Sequence, residues 1–182
     1  MTLSVRRSLA ALGLAAALAA APGAAAALEP RYDHRDQQGV LAAVEVWRDS
    51  VAISGRATAS EVYPRLRLGW GYDLSGEGDE LLVGGALRLG DWSDPERKKF
   101  QYGLDARYRG YFGTEELKTF FELGLWAELQ RRVAVGPQVG LGLAYDPSRA
   151  WGAFVSLHFG TAIGDARIAS VGASAGVQVR FD

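Results

Sequence analysis

From residue 40 onward, apolar and polar side chains alternate with a period of two, in runs of about ten to thirteen residues bounded by turn-forming residues. In Pro64–Leu74 (P-R-L-R-L-G-W-G-Y-D-L), Leu66, Leu68, Trp70 and Tyr72 share one parity. Arg65, Arg67, Gly69, Gly71 and Asp73 share the other. Successive side chains of a β-strand point to opposite faces, so this segment has one apolar and one charged face. Eight such segments follow in order: Val40 to Asp49 with an extension toward Ile53, Val62–Asp73, Leu81–Asp91, Phe100–Phe112, Leu117–Gln130, Val133–Tyr145, Ala150–Thr161 and Ile168–Phe181. None keeps a 3.6-residue apolar period. Thr114–Leu129 comes nearest to a helix, because Glu115, Glu116 and Lys118 could open one. Its later residues, Phe121, Leu123 and Leu125 against Glu122, Gly124 and Glu128, hold the strand alternation. The pattern predicts an all-β domain of eight antiparallel strands.

The joints between segments have a rhythm. Ser75–Glu80, Gly113–Glu116 and Asp146–Arg149 are short and rich in turn residues. Ser50–Glu61, Trp92–Lys99 and Ala162–Arg167 are mostly longer and more polar, and Arg131-Arg132 is a tight exception. Short turns at one end and free loops at the other predict an up-and-down barrel. Loops 50–61 and 92–99 are then the candidates for contact with a surface ligand.

The two faces decide which side is in. The apolar parities of strands three to eight, such as Leu81, Val83 and Leu87 or Val139, Leu141 and Leu143, contain no charge. The opposite parities carry Glu45, Arg65, Arg67, Arg88, Asp105, Arg107, Arg109, Glu122, Glu128, Gln138, His158, Gln178 and Arg180. Glycines stand between them: Gly69, Gly71, Gly140, Gly142, Gly172 and Gly176. A water-facing strand surface favours Lys and Thr and avoids Gly, which weakens strands. Arginine spaced by glycine suits a crowded interior where long side chains pair. The segments also match the roughly 9–11 residues of a tilted membrane strand better than the roughly 5–6 of a soluble one. On this reading Arg65 and Arg67 turn inward and find acids across the lumen, with Glu45, Asp105 and Glu122 as candidates.

With strand one running outward, Trp70, Tyr72, Tyr108, Phe112, Tyr145, Trp151 and Phe181 cluster at one rim on the apolar parity. Amphipathic rings are most stable at headgroup depth, so this is the form of an interfacial girdle.

Composition sharpens the picture. Arg6 and Arg7, the apolar Leu9 to Ala21, the break at Pro22-Gly23 and Ala25-Ala26-Ala27 read as a secretory signal over residues 1–27, cleaved before Leu28. Residues 28–39 form a polar lead-in and residues 40–182 the barrel domain. Removing the signal's two arginines leaves 18 basic against 21 acidic residues, a net charge of −3, which argues against a nucleic-acid partner. The chain has no cysteine, so a lipid-anchored N-terminus, a disulfide and a thiolate metal site are excluded. No later apolar run approaches the roughly 20 residues of a transmembrane helix.

The chain's last segment, S-A-G-V-Q-V-R-F, carries a polar residue, a glycine two later, then a hydrophobic and an aromatic residue one apart: Ser174, Gly176, Val179 and Phe181. This resembles the terminal-strand signal of bacterial outer-membrane barrels, except that Asp182 follows the aromatic. The whole mature chain resembles the small eight-stranded barrels of the OmpA/OmpX type. The resemblance implies a transmembrane β-barrel in the bacterial outer membrane, surrounded by lipid. It also implies recognition by the barrel-assembly machinery through the last strand, no cofactor, and a structural or surface-interaction role.

Alternative chemistries remain open at this stage. The inward Arg, Asp and Glu residues can form an ion-pair plug. They can also line a narrow path, one favouring anions because inward arginines outnumber the acids so counted. Ser156 and His158 share the inward parity, with Glu122 or Glu128 as a possible acid, which admits a lipid A acyl-modifying enzyme. A soluble periplasmic barrel with a ligand cavity is a further alternative. Asp33, His34 and Asp36 have metal-ligating chemistry but are better read as a solvated linker, so no metal site is expected. Gly136-x-x-x-Gly140-x-Gly142 lies within a strand with no helix after it, so it is not a phosphate loop.

Overall fold

The computed structural model describes residues 37–53, 56–74, 79–90, 101–113, 116–129 and 133–182. Within them the alternation becomes eight strands. These are β1 (Gln38–Ile53), β2 (Arg56–Asp73), β3 (Glu80–Arg88), β4 (Gln101–Phe112), β5 (Leu117–Glu128), β6 (Ala134–Tyr145), β7 (Trp151–Gly164) and β8 (Arg167–Phe181). Each pairs antiparallel with the next, and β8 returns to β1 from Gln38↔Phe181 to Ala52↔Arg167, closing the sheet into a barrel. The Thr114–Leu129 stretch is strand β5, as its alternation predicts. The signal, the lead-in before Gln37, Asp33, His34 and Asp36, and the Trp92–Lys99 loop lie outside the described residues.

Two expected loops are corrected. Ser50–Glu61 is not a free loop: β1 and β2 stay paired as far as Ile53↔Arg56, with a bulge between Val51 and Ala52. Ala162–Arg167 is likewise a tight hairpin, paired to Ile163↔Arg167. A ladder requires backbone partners and one anchored face, not hydrophobicity on both faces. Val51 and Ile168 supply the anchor, packing inward with Trp126, Ala134, Ala162 and Ala166. Their outward neighbours Ser50, Ser60, Thr161 and Ala169 are therefore free to be polar or small, and the first two read as loop in the sequence. The consequence is a lopsided rim. β7, β8, β1 and β2 stand as a tall wall, whereas β3 stops at Arg88 and turns through Gly90 at φ 121°. At the opposite end, the turn after β4 uses Gly113 at φ 98°, a conformation that suits glycine.

The outer face is apolar and exposed. Leu68, Leu141 and Ile163 keep 66%, 67% and 72% of their surface, while Arg107 and Glu122 on the inner face keep 1% each. Burial and polarity are thus inverted relative to a protein with a hydrophobic core.

Candidate functional site: the lumen and its two rims

The lumen is layered. Near the turn end, where β1 begins, β8 ends and the short turns lie, Asp146 accepts from Lys118 Nζ at 2.8 Å and from Arg180 Nη1 at 3.0 Å. Glu80 accepts from Gln178 Nε2 at 2.8 Å and Tyr111 Oη at 3.0 Å, with Arg180 Nε at 3.2 Å. Above this lies an apolar layer of Leu41, Ala43, Leu82, Phe120, Ala144 and Phe154. Arg109 crosses it, its guanidinium 4.4 Å from the Phe120 ring centroid and 4.9 Å from that of Phe154. Cationic planes lie favourably on aromatic faces, so Arg109 can pass an apolar layer while still charged.

At mid-height sits the densest ion-pair group. Arg67 forks onto Asp105, with Nε 3.0 Å from Oδ1 and Nη2 2.6 Å from Oδ1. Arg107 lies between Asp105 (3.1 Å) and Glu122 (3.0 Å), and Arg109 donates to the other oxygen of Glu122 at 2.7 Å. Arg65 pairs with Glu45, which also accepts from Trp47 Nε1 at 2.8 Å. Of the acids expected opposite Arg65 and Arg67, the structure brings Glu45 to the first and Asp105 to the second, while Glu122 serves Arg107 and Arg109 instead. Burying an ionised group is costly unless an opposite charge and hydrogen bonds replace its water, and each of these carboxylates has both.

At the loop end, Asp49 accepts from Tyr63 Oη at 2.8 Å and Ser170 Oγ at 2.7 Å. Arg88 pairs with Glu61 at 3.1 Å and stacks over Tyr63 at 3.6 Å. Glu128 is buried at this end, six residues along β5 from Glu122.

The expectation that inward cations exceed inward acids is corrected. The buried cations are Arg65, Arg67, Arg88, Arg107, Arg109, Arg180 and Lys118. The buried acids are Glu45, Asp49, Glu61, Glu80, Asp105, Glu122, Glu128 and Asp146. Among the described residues the interior therefore holds seven cations and eight acids. Sequence reading missed Glu80 and Asp146 because they abut turns. It missed Lys118 because it sat in the helix-like opening of its segment. Asp49 shares the parity of Glu45 and was legible.

Ser156 and His158 do meet: Ser156 Oγ lies 2.8 Å from His158 Nε2, and His158 Nδ1 lies 3.5 Å from Glu122 Oε2, so the facing acid is Glu122 rather than Glu128. The order of atoms is that of a serine–histidine–acid relay. Its surroundings differ. Ser156 Oγ is also 2.7 Å from Ser174 Oγ, Trp47 stacks on the imidazole at 5.7 Å, and Glu122 is shared by two arginines. All three relay residues are buried in the lumen, with the wall between them and the outer face.

The predicted girdle residues lie on the outer face at the turn end. Trp70, Tyr72, Phe112, Trp151 and Phe181 are exposed, and Tyr108 and Tyr145 half-buried. Trp70 sits 5.3 Å from Phe181 across β1, and Phe121, not in the predicted set, joins Tyr108 and Phe112 at 5.6 and 5.5 Å. Phe121 lies over Gly110, its ladder partner on β4, where a Cβ would strike the ring. In the last strand, Ser174 faces the lumen, Gly176 is half-buried on the same parity, and Val179 and Phe181 face out.

Solved structures share this architecture. Neisserial surface protein A matches over 79% of this chain and 97% of its own, at 17% identity and a TM-score of 0.55. The fold is that of the small eight-stranded outer-membrane barrels. The N-terminal barrel domain of Pseudomonas aeruginosa OprF (15% identity, TM-score 0.49, 81% of this chain and 98% of that one) aligns more loosely. So does the attachment invasion locus protein Ail of Yersinia pestis (10% identity, TM-score 0.45, 81% and 99%). No protein-family model matches the chain, and no curated protein matches it in sequence. At these identities the likeness establishes the barrel and leaves its activity to its own residues.

Proposed function

We propose that the mature chain is an integral outer-membrane barrel whose lumen is plugged by its own side chains, and that it stabilises the envelope or presents its loop end to the outside. One observation carries the reading: among the described residues the wall exposes leucine and valine while the interior buries seven cations and eight acids. Water offers no reason for that inversion; lipid does. The aromatic rim supports insertion to a fixed depth, with the turn end toward the periplasm. Residues 1–27 act as the cleaved signal. Ser174, Gly176, Val179 and Phe181 present the last strand to the assembly machinery, so Phe181→Ala lowers the assembled fraction in cells.

The decisive experiment is gel mobility of detergent-extracted outer membranes with and without boiling. A folded barrel migrates apart from the boiled chain; a chain recovered without detergent from the periplasm, with no mobility shift, would return the soluble ligand-binding barrel. The rival pore predicts discrete conductance in a planar bilayer. The apolar layer crossed by Arg109 and the balanced charge both support a silent lumen instead.

A further inference from the structure

On the outward faces of the eight strands, two of the described side chains are charged, Arg48 and Arg167, and both are cationic. They stand on adjacent strands at the loop end. One ladder row there, Ser60–Ser50–Ala169–Thr161, crosses β2, β1, β8 and β7 and supplies three outward hydroxyls. Arg48 is one outward position from this row on the membrane side, and Arg167 is one position from it toward the loop end. Arg48 Nε donates to Ser60 Oγ at 3.3 Å, and neither arginine meets a carboxylate among the described residues. At the same end the other half of the wall is apolar, with Leu87, Tyr102, Leu129 and Val133. The turn-end rim is aromatic and carries no outward charge on its strands.

A bare arginine on a lipid-facing wall is tolerated only near the interface. At that depth the available counter-charge is a lipid headgroup, and the planar guanidinium fork matches phosphate oxygens. Below Arg48 the wall offers a column for acyl chains: Val46 and Val44 on β1 beside the small Ala173 and Ala175 on β8. We propose that Arg48 and Arg167, with Ser50, Ser60 and Thr161, form a seat for the phosphorylated headgroup of an outer-leaflet lipid. The hydroxyls bridge to phosphate or sugar, and the chains lie along β1 and β8. This rests on the membrane reading above.

The test uses the folded protein in neutral-detergent micelles, with native mass spectrometry reading the lipid retained. Diphosphoryl lipid A is compared with its dephosphorylated form, and inorganic phosphate is offered as competitor. The wild type should hold the phosphorylated lipid about tenfold more tightly, two basic side chains at an anionic surface being sufficient for that. The double variant Arg48→Gln/Arg167→Gln should lose this preference and Arg48→Lys/Arg167→Lys should keep most of it. Each variant's fold is checked by its heat-dependent mobility, and if the Gln pair does not fold, the single Gln variants decide. Equal retention by wild-type and Gln variants, or no preference for the phosphorylated lipid, overturns the seat. Displacement by millimolar inorganic phosphate overturns the lipid assignment in favour of a free-phosphate site. In detergent phase separation, a wild type that enters the aqueous phase sinks the membrane reading itself. One that enters the detergent phase without discriminating phosphate sinks the seat alone.

Discussion

Each strand of this barrel shows two chemistries on neighbouring residues, and the two faces are held by different forces. On β5, Glu122 is buried between Arg107 and Arg109, while Leu123 beside it is half exposed on the outer wall. Inside, stability depends on completeness: a buried charge is tolerable only where an opposite charge or hydrogen bonds replace its water. Outside, it depends on uniformity, since an apolar wall needs no particular neighbour, only the absence of charge at depth. The difference teaches where single substitutions are dangerous. A lumen position is sensitive to loss, a wall position to gain.

The largest expected effect comes from breaking the inside rule. Glu122→Leu removes the acid that Arg107 and Arg109 share and should cost about 3–5 kcal/mol in urea unfolding of the lipid-inserted protein. An effect under about 1 kcal/mol would show that water, not Glu122, carries those charges. The outside rule is broken by Leu141→Arg, midway along β6, which should cost about 2–4 kcal/mol by the same measurement. A charge tolerated there as Arg48 is near the rim would argue that the wall does not face lipid.

A third variant separates partner loss from charge loss. Arg67→Met with Asp105→Leu removes both members of one pair, and should lie within about 2 kcal/mol of wild type, either side, where either single change costs more. A strictly additive cycle would mean the pair is not coupled. The smallest effect is Ser156→Ala, which removes one neutral hydrogen-bonding group at a cost of about 1 kcal/mol. Lipid A from cells carrying it should have an unchanged acylation pattern by mass spectrometry; a changed pattern would promote the buried relay to a catalytic site.

The parity of the sequence made this two-faced division legible. Arg65, Arg67, Asp105, Arg107 and Glu122 lie inward, and Leu66, Leu68 and Leu123 outward, as their positions predict. Pairing was less legible. Arg67 and Glu122 are separated by 55 positions in the chain, and which acid each arginine meets depends on strand stagger, which alternation does not encode. Elements near the rims were misjudged for a related reason. Ser50 and Ser60 look like loop residues because their hydrophobicity is low, yet Val51 anchors their hairpin from inside. Lys118, Glu80 and Asp146 sit where turn and strand signals overlap, so their inward placement needed the closed sheet.

That closure has a kinetic side. The β1–β8 seam joins the two ends of the domain; Ser170 reaches Asp49 over it across 121 positions, and Gln178 reaches Glu80 of β3 over the lumen across 98. Contacts of such separation form late, because the chain entropy of bringing them together must be met before they reward it. Until the seam zips, Arg180, Arg109 and Glu80 lack their full set of partners and must stay hydrated. The open sheet therefore cannot sink into lipid charge-first: sealing the seam and dehydrating the interior are one event, and the last strand to be made is the one that completes both.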